Sequence, residues 1–133
     1  MRVLIVDDEP TVLDFFAQAA RAKGVEEIET ASSGEEALGK VIAQTYDLIT
    51  LDIRMPGASG LDILSPIRNM CPHALIAVIS GHIPDDFTQE MAGCADLLMH
   101  KPVNLINFNK LVDGALLIAN TLDEMKKLND VDA

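Results

Sequence analysis

Carboxylates stand where apolar runs end. RVLIV at residues 2–6 gives way to Asp7, Asp8 and Glu9, and YDLITL delivers Asp52 to the turn-rich stretch IRMPGASG. LIAVI at 75–79 is followed by Ser80 and Gly81, and LLMH at 97–100 by Lys101 and Pro102. Three aspartates brought together repel when ionised, so either a pKa rises or a cation neutralises them. Oxygen ligands from one or two carboxylates, with water completing the shell, suit Mg2+, and Mg2+ suits phosphate. A lysine aimed at the same point offers a fixed positive charge to a phosphoryl oxygen, and a serine hydroxyl can donate to another. An aspartate can itself attack phosphorus to give an aspartyl phosphate. The set predicts a phosphoryl-binding site with its own carboxylate nucleophile, Asp52, in which catalysis is positioning and charge neutralisation. Taken singly, each residue has a plainer use. An Asp after a strand forms a turn or caps a helix, as Asp7 or Asp8 could for a helix starting at Pro10, and Ser80 and Lys101 could be loop residues. That account leaves their coincidence at four strand ends unexplained.

For these residues to meet, the strands must send them to one edge. Apolar runs of strand length alternate five times with longer segments of helical period, the pattern of βαβ units around a parallel sheet. The expected strands are 2–6, 27–31, 47–51, 75–79 and 97–100. In such a doubly wound α/β sheet, ligands bind outside the carboxyl ends of the strands, near the switch in strand order. Pro10 opens the first expected helix and Gly24 stops it. Ser33 and Glu36 predict a capping box for the second. The third follows Gly60 and carries Pro66, which should bend it. The fourth is expected from Pro84 to near Gly93. The fifth is expected from Pro102 to about Leu128, with Phe108, Leu111, Ala115, Ile118, Leu122 and Met125 at spacings of three and four; beyond about Asn120 it overhangs the sheet.

The totals fit this reading. A chain of 133 residues can close one hydrophobic core, and 49% hydrophobic with 23% charged residues is an ordinary globular balance. A net charge of −11 argues against nucleic acid or an anionic membrane as a direct partner. No apolar run reaches the length of a membrane span, and the N-terminus lacks a secretory signal, so a cytoplasmic protein is expected. Cys71 and Cys94 lack the spacing of a metal or redox motif and read as unpaired small hydrophobes.

With VDDE after the first strand, LDIRMPGASG around Asp52, ISG after the fourth strand and HKP at the fifth, the chain resembles the receiver domain of bacterial two-component response regulators. The resemblance covers residues 1–122 and leaves 123–133 as an extension of the last helix and a tail that could serve as a linker. It implies a flavodoxin-like (βα)5 three-layer sandwich with parallel strand order 2-1-3-4-5. It also implies that Asp52 is the phosphoacceptor, that Asp8 binds Mg2+ directly and Asp7 largely through water, and that the Arg54 main-chain carbonyl completes the protein's share of the shell. Lys101 then contacts the phosphoryl group and Ser80 hydrogen-bonds it after transfer. The donor would be a phosphohistidine on a sensor histidine kinase or histidine phosphotransfer protein. The output would be a downstream protein or a fused output domain, and a homodimer through the face around the fourth and fifth helices belongs to the family's repertoire.

This sequence departs from the common pattern at Leu98, where the family often has a Tyr or Phe whose ring turns inward when the hydroxyl moves to the phosphate. Arg54 and His82 occupy positions that tune phosphoryl lifetime in the family; they either shield the acyl phosphate, contact the donor, or are exposed loop side chains. Two rival readings are a receiver-like module acting only through protein interaction and a Mg2+-dependent phosphohydrolase. The hydrolase's second aspartate, two residues after the nucleophile, is absent, since Arg54 stands there. No folded output domain fits after residue 128, so a stand-alone receiver or a fragment of a larger regulator is expected.

Overall fold

The computed structural model describes residues 1–129. In chain order the elements are β1 (Arg2–Val6), α1 (Pro10–Ala22), β2 (Glu27–Ala31), α2 (Gly34–Ala43), β3 (Leu48–Asp52), α3 (Gly60–Met70), β4 (Leu75–Ser80), α4 (Gln89–Ala92), β5 (Leu97–His100) and α5 (Leu105–Lys126). All strand pairs are parallel, in the order β2-β1-β3-β4-β5 that the family resemblance implies. The register sets Asp52 beside Ile79 and Ser80 beside His100, so the ends of β3, β4 and β5 stand together.

Alternation along each strand builds two cores. Leu4, Val6, Ile49, Leu51, Ile76 and Val78 face α2 and α3, where Ala37, Val41, Ile63, Leu64 and Ile67 meet them. Val3, Ile5, Leu48, Ala77 and Ile79 face α1 and α5, where the rings of Phe16 and Phe108 stack with centroids 4.5 Å apart. β3 is buried throughout, as a strand covered on both faces requires.

Several helix ends differ from expectation. α4 does not begin at Pro84. That residue instead opens an isolated turn closed by the Phe87 amide on its carbonyl, and the helix starts only where the Thr88 hydroxyl accepts from the Met91 amide. α4 is therefore one turn, and Leu98 on the edge strand β5 is left 41% exposed. At α2, the Ser33 hydroxyl accepts from the Glu36 amide, but the Glu36 carboxylate turns to the amide and hydroxyl of Ser32, so the expected reciprocal box is displaced by one residue. A reciprocal box forms at α3, between Ser59 and Asp62. α3 continues across Pro66, which faces solvent. α5 ends at Lys126, two residues short of expectation; Phe108, Leu111 and Ala115 are buried, whereas Ile118, Leu122 and Met125 are exposed. Of the proposed tail, residues 130–133 lie outside the described residues. Among the described residues no helix is long and apolar enough to cross a membrane.

Candidate functional site

β1 is followed directly by Asp7, which is buried; its Oδ1 accepts from the Glu9 amide at 2.9 Å, holding the turn that leads into α1. Asp8 beside it is half-buried. Asp52 closes β3 at only 4% exposure, and its Oδ1 accepts from the Arg54 amide at 3.0 Å. The chain then doubles back over the strand end, where a Cβ at Gly60 would collide with Ile53 Cα and the Asp52 carbonyl oxygen. Only glycine allows that closeness. From the end of β5 the Lys101 ammonium reaches Asp7 Oδ2 at 2.8 Å and Asp52 Oδ2 at 3.2 Å.

Carboxylate oxygens of Asp7, Asp8 and Asp52 all lie within 4.8 Å of one another. Three carboxylates facing one ammonium leave a net charge of −2 when all are ionised, a deficit that one divalent cation matches. The donors are hard oxygens and Asp8 is only half-buried, so the group fits a cation such as Mg2+ that keeps part of its water. Burial pushes the Asp52 carboxyl above its ordinary pKa, with Asp7 adding to the rise; the Arg54 amide and Lys101 oppose it without cancelling it. Burial would lower the Lys101 ammonium, but hydrogen bonds and charge from Asp7 and Asp52 outweigh that and raise it. Lys101 is a fixed cation at neutral pH.

Ser80 is buried at the neighbouring strand end, yet its hydroxyl donates to the His82 carbonyl at 2.6 Å and accepts from the His82 amide at 3.2 Å. Its proton is thus engaged within its own turn rather than on Asp52. The Arg54 and His82 side chains are both exposed. Beside Lys101, an apolar groove of about 420 Å3 opens between Val12, Phe15 and Phe16 of α1 and Pro102 and Val103.

A family model described as the response regulator receiver domain matches residues 3–113. The chain belongs to this family. The receiver is 33% identical over 117 residues to a protein-glutamate methylesterase/protein-glutamine glutaminase of Archaeoglobus fulgidus, covering 88% of this chain and 31% of that protein. It is 33% identical over 102 residues to the transcriptional regulatory protein YvrH of Bacillus subtilis, covering 77% of this chain and 43% of the relative. The chain therefore spans less than half the length of either relative. Among solved structures it is similar to the response regulator TrrA of Thermotoga maritima in complex with Mg(2+)-BeF, at 34% identity and a TM-score of 0.74, covering 86% of this chain and 97% of that one. A two-component response regulator from Clostridium difficile gives a TM-score of 0.80 at 26% identity, over 90% and 98% of the two chains.

Two residues, one beside Asp52 on β3 and one touching the loop after it, do not stand out in the sequence. Thr50 lies on the same face of β3 as Asp52, one step deeper; it is buried and its Oγ1 has no hydrogen-bond partner among the described residues. The available signal was a lone hydroxyl residue in the apolar run DLITL. Glu35 accepts from the Ala58 amide at 3.2 Å across 23 residues of sequence, a contact that no local pattern announces.

Proposed function

We propose that this receiver takes a phosphoryl group from a phosphohistidine onto Asp52 and, so modified, changes its affinity for an output partner. The observation that carries this reading is the convergence of Lys101 on Asp7 and Asp52, with Asp8 within ligand distance of both carboxylates. Asp7, Asp8, Asp52 and the Arg54 main-chain carbonyl would hold Mg2+. When bound, the ion neutralises the carboxylates and the charge on the transferring phosphoryl group. Asp52 is set at a rigid strand end, so its carboxylate needs no reorientation to meet phosphorus. As the Asp52 oxygen bonds to phosphorus, the donor's N–P bond breaks and the imidazole nitrogen keeps the electron pair. Lys101 is left to pair with the new phosphoryl oxygens, and the Ser80 hydroxyl exchanges the His82 carbonyl for one of them.

The donor is a sensor histidine kinase or histidine phosphotransfer protein, and the output is a downstream protein or a domain fused beyond the receiver, as the longer relatives suggest. Residues 1–122 form the receiver and 123–133 the start of a linker, in a cytoplasmic protein. Arg54 and His82 flank the site at its exposed rim, placed to shield the acyl phosphate or touch the donor, and self-association would use the face around α4, β5 and α5. With Leu98 exposed and without a ring, the report of phosphorylation passes through the Ser80–His82 turn rather than through an inward-turning aromatic side chain. Incubation with acetyl phosphate and Mg2+ followed by intact-mass measurement tests the proposal. One phosphoryl adduct, absent in Asp52→Ala, is expected. No adduct would leave a module acting through protein contact alone, and sustained turnover of a small phosphate ester would mark a hydrolase instead.

A further inference from the structure

The loop after Asp52 is held from two directions. On the strand side the Arg54 amide donates to Asp52 Oδ1. On the other side stands the first turn of α2. Gly34 there is buried against Ala58, and a Cβ at Gly34 would collide with the Ala58 carbonyl oxygen. Glu35 Oε1 accepts from the Ala58 amide at 3.2 Å. Gly57 adopts φ +76°, and a Cβ there would stand 3.4 Å from the same Glu35 oxygen. Ala58 and Leu61 also pack on the core cluster that contains Ala37 and Val41 of α2. The cap of α2 does not use this carboxylate, because Ser33 and the Ser32–Glu36 pair supply it. Glu35 thus accepts its hydrogen bond from the loop that carries Arg54, and the backbone between residues 54 and 58 is held at both ends.

We propose that Glu35 is a positioning residue of the metal and phosphoryl site: it clasps the β3–α3 loop at Ala58 and so sets the direction of the Arg54 main-chain carbonyl. The inference rests on the reading above, in which that carbonyl is a ligand. A carboxylate accepting from a main-chain amide makes a charge-assisted bond, stronger than a neutral acceptor's. Partners that orient a metal's ligands commonly change affinity by about 10–100-fold, and one solvent-exposed bond acting through a loop belongs at or below the low end, roughly three- to tenfold.

Titrating the 133-residue chain with Mg2+, followed by amide NMR, tests this. Glu35→Ala should weaken Mg2+ binding roughly three- to tenfold, whereas Glu35→Gln, which keeps a weaker neutral acceptor, should fall between wild type and Glu35→Ala. Glu36→Ala should lower stability through the α2 cap and leave Mg2+ affinity unchanged. Equal affinity in wild type and Glu35→Ala overturns the clasp. Weakening in Glu35→Gln as large as in Glu35→Ala also overturns it, because the effect is then one of charge, and so does the same weakening in Glu36→Ala, because the effect is then a loosened helix. Wild-type binding that is abolished in Asp8→Asn upholds the underlying reading even where the clasp fails. A wild type that takes up no Mg2+ overturns both.

Discussion

Asp52 has opposite requirements in the folded chain and in the proposed reaction. Burial holds its carboxyl above the ordinary pKa, so the folded state binds this proton more tightly than the unfolded chain does. Stability of the metal-free protein therefore falls as pH rises from the ordinary carboxylate value through the raised folded one, and the cost persists above it. Asp52→Asn removes that cost. In chelator the variant should unfold at higher urea than wild type at neutral pH, with the advantage shrinking toward zero as pH falls below the ordinary carboxylate pKa. An advantage that grows with acid would show the opposite linkage. Cation binding competes with the same proton, so Mg2+ affinity should rise with pH through this window.

The two halves of α5 have different work. Phe108 is fully buried and stacks on Phe16, tying α5 to α1 beneath the sheet. Met125 is 60% exposed on the overhanging end. Phe108→Ala should cost about 3–5 kcal/mol in urea unfolding and Met125→Ala about 0.5 kcal/mol or less. Comparable costs would mean that the far end packs as tightly as the near one. α4 shows how a helix too short to bury much is held by polar contacts. Arg68 at the end of α3 donates to the carbonyls of Cys94 and Ala74 at 2.8 and 2.9 Å and pairs with Asp96 at 2.6 Å. That fork anchors the turn after α4 to α3, while the preceding turn is tied to Ser80. The segment between them is thus fixed at one end and tied at the other to the Ser80 hydroxyl, and under the function proposed above it is where phosphorylation would change the surface.

At the scale of the whole molecule, the acid cluster is a buried point where separate stretches of chain are joined by charge. Lys101 pairs with Asp7 across 94 residues and with Asp52 across 49. A cation that binds this cluster binds only the folded chain, so it stabilises the fold by mass action; at a hundred times Kd the gain is about 2.7 kcal/mol. Mg2+ should accordingly raise Tm by several degrees in thermal unfolding, with EDTA reversing the rise and Asp8→Asn abolishing most of it. An unchanged Tm at high Mg2+ would contradict the proposed site.

Much of this was legible in one dimension. Strand positions and the class of the fold follow from apolar runs and their period, which are local properties. The identity of the acid and lysine residues follows from their places at strand ends, since in a parallel sheet all such ends face one edge. Tertiary structure alone decided the rest. It buried Asp52, turned the Ser80 hydroxyl onto His82, gave the Glu36 carboxylate to Ser32, limited α4 to a single turn after Thr88, and brought Glu35 to Ala58. These depend on how the segments pack in space and on which donor comes within about 3 Å of which acceptor, and residue types in order do not contain that geometry.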